Sequence, residues 1–459
     1  MANRVLRVKE EIMKRTNSIL LVITFFSILF TNEANAQAGY DELTYQEKSI
    51  TVDSISNKLL GFYIFPEVAK EMSNLIRENL KKGKYNSINN PNDFAYQLTA
   101  DLLAISHDKH IRVDYAPEDI KARNEVVSAE DSLRYLNQYI NEIKRDNFGF
   151  KELKILGGNI GYLDLRSFED VEYAGLTAVS VMNFLSNTDA IIIDLRMNGG
   201  GSPAMIQLIT SYLFNSNPVH LNNFYWRPSN ETTQTWTLPY VQGRRVPNTP
   251  VYLLTSNRTF SAAEEFCYNL KHLKRATIIG ETTGGGAHPS GPVSATDKFS
   301  ITIPIGRAIN PITKTNWEGT GVTPHIEIPA SQALELAQTK ALETLIQANK
   351  ENEINQRFYT WHLEGLKAIM EPVLVDTPIL KSYIGNYGPR MISLKDNNLY
   401  YQREGTEIQY KMIPLNDKEF MLKKNNSFRL KFIVENGQSL AVEGHYDNGS
   451  SDKNLKTES

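Results

Sequence analysis

DAIIIDLRMNGGGSPAMIQLITSYLF, residues 189–214, passes from an unbroken apolar run, through three successive glycines, into a segment whose apolar residues recur every three or four positions. An apolar run without alternation is a strand buried on both faces, and the following periodicity is that of a helix. The same alternation returns in VYLLTS (251–256), SAAEEFCYNLKHL (261–273) and ATIIGE (276–281). Strands of this kind separated by helices predict an α/β core with a largely parallel sheet covered on both sides. Function in such sheets sits at the carboxyl ends of the strands, in the loops that open the following helices. The glycine-rich and serine-bearing segments lie there.

Outward from this core, the chain divides into segments of different pattern. Residues 38–108 show helical periodicity, as in FPEVAKEMSNLIRENLKKG and PNDFAYQLTADLLAIS, with Pro66 and Pro91 at first-turn positions. They predict a helical bundle. Residues 109–345 hold the core, and residues 366–447 alternate in short segments punctuated by DNN, NN and ENG, which predicts a small antiparallel β domain. The polar residues 448–459 are expected to be a disordered tail.

At the amino end, Lys14 and Arg15 precede the apolar run Ile19–Phe30, and Asn35 stands between Ala34 and Ala36. That is the pattern of an export signal over residues 1–36, cleaved near Ala36. The apolar run falls short of the roughly 20 residues that span a bilayer, so the mature chain is expected in the periplasm or outside the cell without a stable membrane anchor. The signal holds five basic and three acidic residues, so its removal takes the net charge from -3 to -5. No nucleic-acid partner follows from such a balance. The single cysteine, Cys267, excludes an intrachain disulfide and reads as a buried thiol on an apolar helix face. Nothing in the sequence specifies the oligomeric state.

Four segments carry candidate chemistry. Ser261 in TFSAAEEF follows a strand and opens a helix, where the helix terminus and nearby amides favour an oxyanion. Ser261 with Glu264 is equally an S-x-x-E capping box, and taken alone the cap is the commoner occurrence. Gly199 and Gly200 in DLRMNGGGS offer backbone amides for an oxyanion or anion site, or else a tight turn. SHDKHIRV places His107 and His110 three apart; the pair lacks a third metal ligand and an H-E-x-x-H pattern, whereas an acid–base role needs one imidazole only. His288 in GGGAHP is another candidate base, and Glu318 in TNWEGTGVTP is a loop carboxylate suited to orienting a partner.

Six segments in order, DKHIRV, GNIGYLDLRSF, DAIIIDLRMNGGG, VYLLTSNRTFSAAEEF, IIGETTGGGAHP and WEGTGVTPHIEI, together resemble the tail-specific, or C-terminal-processing, serine peptidases. The resemblance runs from about Ala100 to Ile328. It implies a Clp/crotonase-type core of ββα units and a peptidase acting on peptide or protein substrates. Members with a serine–lysine pair carry lysine at the position of Gly286, which this chain lacks. The remaining branch resembles tricorn protease and the interphotoreceptor retinoid-binding proteins, with a histidine base and a glutamate supporting it through a serine. That resemblance implies Ser261 as nucleophile, His110 as base, Glu318 as support, and an oxyanion hole from Gly199 or Gly200 with Ala262, with no metal or organic cofactor. Ser106 precedes His107 and not His110, which leaves the bridging serine, and the choice among His110, His107 and His288, open. The interval from Val113 to Gly158 is too short for the PDZ domain that many members insert. A non-catalytic binder of apolar ligands on the same fold is the alternative reading, and a surface-interaction role for the β domain is a third.

Overall fold

The computed structural model describes residues 42–124 and 129–457; the export signal expected over residues 1–36 lies outside the described residues. Among these no helix is long and apolar enough to cross a membrane. Three helices come first, α1 (Tyr45–Phe62), α2 (Pro66–Lys81) and α3 (Pro91–Ser106). Their starts follow local rules. Thr44 and Glu47 form a reciprocal capping box, proline opens α2 and α3, and the Asn90 side chain accepts from the amides of Asn92 and Asp93. The bundle does not close on itself. Val52, Ile55, Leu59, Ile76 and Leu98 share one core with Val113 on β1 (Arg112–Tyr115) and with Phe299, Ile301 and Ile303, almost two hundred residues further on.

After α4 (Pro117–Asn124) and α5 (Ala129–Arg145), the chain runs through β2 (Phe150–Leu156), β3 (Ile160–Leu165), α6 (Val171–Leu185), β4 (Ala190–Asp194) and α7 (Pro203–Tyr212). Then follow β5 (His220–Trp226), β6 (Glu231–Trp236), β7 (Val251–Thr255), α8 (Ala262–His272), β8 (Thr277–Gly280), β9 (Ser290–Ser294), β10 (Phe299–Pro304), β11 (Gly306–Ile309) and β12 (Ile326–Glu327). The central sheet has the order β12-β8-β7-β4-β3-β2, parallel throughout except for the edge pair β2–β3. Side-chain alternation sends Ile191, Ile193 and Leu253 towards α6, α7 and α8. It sends Ile192, Tyr252 and Leu254 towards α9 (Ala333–Ala348) and α10 (Glu353–Met370). Burial on both faces is the physical reason these strands are predominantly apolar. Helix α10 belongs to this layer through Tyr359 and Leu363, so the boundary expected at residue 366 falls inside it.

Two three-stranded sheets flank the core. β1-β10-β9 joins it to the helical bundle, and β11-β5-β6 covers one end. After the short helix α11 (Thr377–Ser382), β13 (Gly385–Tyr387), β14 (Arg390–Lys395), β15 (Asn398–Arg403), β16 (Gln409–Pro414), β17 (Glu419–Leu422), β18 (Asn425–Glu435), β19 (Gln438–Tyr446) and β20 (Ser451–Thr457) form a closed antiparallel barrel. Tyr387, Leu399, Phe420, Leu430, Phe432 and Val442 fill it. The tail expected to be disordered is corrected here: residues 451–457 are β20, bonded to β19 on one side and β13 on the other. Its composition is polar because its side chains face mostly outward, while its backbone removes the two free edges that an open sheet would present.

Candidate active site

Ser261 stands where the chain leaves β7 and enters α8. Its backbone, at φ 53° and ψ -121°, lies in a region L-residues rarely adopt. Such a conformation costs on the order of 1–3 kcal/mol and persists only where its surroundings impose it. They do so here. The Ser261 amide donates to Glu264 Oε2 at 2.9 Å, and the Phe260 amide donates to the Asn198 carbonyl at 3.1 Å. Glu264 is more than a cap: its buried carboxylate also accepts from the Thr283 hydroxyl, from Gly285 N at 2.7 Å and from Gly286 N at 2.8 Å. Burial pushes its pKa up, against these four donors. One side chain therefore ties the serine turn to the glycine loop that follows β8.

The Ser261 hydroxyl lies 3.4 Å from His110 Nε2, at the entrance to β1. The imidazole is buried and packs against Phe260 at 4.8 Å between ring centres. His107 is not at the site; it is exposed, in left-handed conformation at φ 53° at the C-terminal end of α3. Between them in sequence is Asp108, buried, which sequence reasoning passed over except as the residue separating two histidines. Its Oδ1 accepts from the His110 amide at 3.1 Å and lies 3.6 Å from His110 Nδ1. Its Oδ2 accepts from His288 Nδ1 at 2.6 Å and from the Tyr63 hydroxyl at 3.4 Å. Burial opposes ionisation of Asp108, but the hydrogen bonds and charges of His110 and His288 outweigh it and hold the carboxyl well below the usual range.

Glu318 reaches the cluster from the opposite side. Its Oε2 accepts from the Ala287 amide at 2.5 Å and lies 3.4 Å from His288 Nδ1. Burial and the neighbouring Asp108 charge push its pKa up. Among the described residues no serine links Glu318 to His110; Asp108 and His288 occupy that ground. His110 Nδ1 and Glu318 Oε1 are both buried without a hydrogen-bond partner among the described residues. Asp108, His110 and Glu318 are also a group with metal-ligand spacing, their ligand atoms within 4.8 Å of one another. Asp108 is already engaged by three protein donors there, and His107, half of the His-x-x-His pair, is not part of the group.

The glycines have positional reasons. Gly200 and Gly201 adopt φ 118° and 137°, and a Cβ on Gly200 would stand 2.8 Å from Ser261 Cβ. The Gly200 amide, expected as an alternative to Gly199 for an oxyanion, donates to Asn198 Oδ1 at 2.9 Å. Gly199 and Ala262 keep amides without a partner among the described residues, in the two segments that meet at Ser261. At Gly286 a Cβ would lie 2.2 Å from Phe260 Cζ and 2.6 Å from His110 Cε1. A side chain at 286 and the imidazole of His110 therefore exclude one another in these positions. Beside Ser261 opens a cavity of about 370 Å³, walled by Phe168, Phe224, Trp226, Ala287, His288 and Trp317.

A mixed sheet with helices on both faces and the serine turn at its carboxyl ends makes this an α/β core with its candidate site in the loops that follow the strands. Residues 159–328 match the family described as Peptidase family S41, and residues 46–144 match the N-terminal domain of Peptidase_S41 in eukaryotic IRBP. Carboxyl-terminal-processing peptidase 2, chloroplastic, of Arabidopsis thaliana is 26% identical over 180 residues, 38% of this chain and 32% of that protein. The chain thus spans about a third of that relative. Among solved structures, mature CPAF is 14% identical with TM-score 0.45, covering 67% of this chain and 98% of CPAF. Tricorn protease is 17% identical with TM-score 0.40, covering 63% of this chain and 35% of tricorn.

Proposed function

We propose that this chain is an exported serine peptidase that cleaves peptide or protein substrates through an acyl-enzyme on Ser261. His110 Nε2 takes the proton from Ser261 Oγ as Oγ bonds to the substrate carbonyl carbon. The electron pair of the C=O bond moves to oxygen, and the amides of Gly199 and Ala262 stabilise that oxyanion. His110, now an imidazolium beside the Asp108 carboxylate, gives its proton to the leaving amine, and water repeats the sequence on the acyl-enzyme. Asp108 favours the protonated imidazole, while His288 and Glu318 hold Asp108 and the 286–288 loop in place.

The approach of His110 Nε2 to within 3.4 Å of a serine in strained backbone conformation carries this reading. A fluorophosphonate probe tests it. Wild type labels and Ser261→Ala does not, with His110→Ala labelling far more slowly; equal labelling of wild type and Ser261→Ala refutes the assignment. The aromatic cavity beside Ser261 favours a second reading, binding of an apolar ligand without catalysis. An unlabelled wild type that retains an apolar ligand would establish it. Export predicts a mature protein that begins near Gln37, read by amino-terminal sequencing of protein recovered outside the cytoplasm.

A further inference from the structure

One buried carboxyl group at the site has no part in the mechanism above. Glu265 is 3% exposed and borders the cavity beside Ser261. It follows Ser261 by four residues, and both border the cavity. Both hydrogen bonds to Glu265 end on Oε1, from Asn222 Nδ2 at 3.2 Å and Asn269 Nδ2 at 3.5 Å. Asn310 in turn donates to Asn269 Oδ1 at 3.2 Å, and all three asparagines are fully buried. This chain of amides fixes the carboxyl orientation and leaves Oε2, without a partner among the described residues, on the cavity side.

The rest of the wall has the same sign. Glu169 and Asp170 border the cavity, and among the described residues no lysine or arginine does. Glu169 is engaged by Ser167 Oγ at 2.6 Å and Tyr139 OH at 3.1 Å, and Asp170 by the Glu172 amide at 2.9 Å and Ser202 Oγ at 3.3 Å. Glu265 is therefore the acid with an unengaged oxygen. Phe168, Phe224, Trp226 and Trp317 line the same cavity with apolar and aromatic surface. Such a wall accommodates a hydrocarbon shaft, its ring faces attract a cation, and a carboxylate in it pairs with a positive tip. An uncharged apolar tip would leave Oε2 desolvated and unpaired.

We propose that this cavity receives the substrate side chain on the acyl side of the scissile bond, and that Glu265 selects lysine or arginine there. The proposal rests on Ser261 being the nucleophile. In the reaction the cation is bound and released unchanged, and its charge sets which peptide bond is presented to Ser261.

Two measurements at about pH 8, above the value of about 7 to which burial raises Glu265 against the Asn222 and Asn269 hydrogen bonds, test the proposal separately from the peptidase reading. The other titratable groups facing the cavity are Tyr139, Glu169, Asp170 and His288. First, acyl-lysine and acyl-norleucine anilides are compared on the wild type. The expected preference for lysine in kcat/KM is about tenfold or more, and it collapses in Glu265→Gln and reverses in Glu265→Leu. Equal hydrolysis of the two substrates, or a lysine preference that survives both variants, overturns the proposal. Second, benzamidine is titrated calorimetrically into Ser261→Ala, where no turnover occurs. Binding is expected to weaken about tenfold or more when Glu265→Gln is added, and benzyl alcohol should show no such difference. Benzamidine binding indifferent to Glu265 overturns the proposal even if peptides are cleaved. A wild type that cleaves nothing and resists the fluorophosphonate, yet binds benzamidine through Glu265, overturns the peptidase reading and leaves a cation-binding pocket.

Discussion

Gly286→Ala is the substitution whose effect the geometry defines most sharply. The new methyl group would sit 2.2 Å from Phe260 Cζ and 2.6 Å from His110 Cε1, both far inside contact distance. The backbone at 286 carries amide N–H to Glu264 Oε2 and its carbonyl accepts from Trp317 Nε1 at 2.7 Å. The loop is therefore pinned on both sides, and the rings must move. Rotation of Phe260 relieves the first contact only. The second requires His110 to shift from a position already 3.4 Å from Ser261 Oγ. Loss of a positioned base costs on the order of 10²–10⁴ in rate, or about 3–5 kcal/mol in the barrier. The overpacking itself destabilises by about 1–3 kcal/mol. The assay is the rate of fluorophosphonate labelling, followed beside thermal unfolding. Gly291→Ala is the control, since a Cβ there meets nothing within 4 Å; it should label and melt as wild type. A folded Gly286→Ala protein labelled at the wild-type rate would refute both the exclusion argument and the role of His110.

Three further outcomes are expected. Ser261→Gly should be more stable than Ser261→Ala by about 1 kcal/mol or more, because glycine tolerates φ 53° and alanine does not; denaturant titration of the two inactive proteins reads the difference. Asp108→Asn should slow labelling by about 10²–10⁴ by removing the charge beside the imidazole. Because the Asp108 pKa is depressed on folding, its contribution is present above the unfolded value near 4 and is lost as pH falls below it, so the variant should lose less stability in acid than wild type. Glu265 has the opposite sign. Raised from 4.5 to about 7 by burial, it favours folding below about pH 4.5, and that contribution is lost as pH rises through 7. Glu265→Gln should therefore match wild type near pH 5 and exceed it by up to about 3 kcal/mol near pH 8, as read from denaturant midpoints.

The alternation of apolar strands and periodic helices in residues 189–281 was sufficient to define the α/β core, because burial on both sheet faces leaves a compositional trace in every strand. Ser261 was legible for a similar reason: a serine after an apolar strand and before a helical segment sits at a strand-to-helix turn by chain connectivity alone. Glycine at 286 was visible as a departure, though the space taken beside it by the His110 ring was not. Other features depend on residues that only packing brings together. His110 rather than His107 faces Ser261 because α3 ends in a left-handed turn that leaves His107 exposed, while His110 stands buried just before β1. Asp108 joins His288 across 180 residues, and no periodicity encodes such a bond. The amide of Gly200 donates to the side chain of Asn198, two residues away, a bond set by the turn's dihedrals. Residues 451–457 looked disordered by composition, yet they close the barrel because two neighbouring strands need their backbone groups. The sequence by itself determined which segments could be strand, helix or reactive turn, since those depend on local pattern and burial. Tertiary structure alone decided which acids, amides and imidazoles share a site, since hydrogen bonds between distant segments depend on packing geometry.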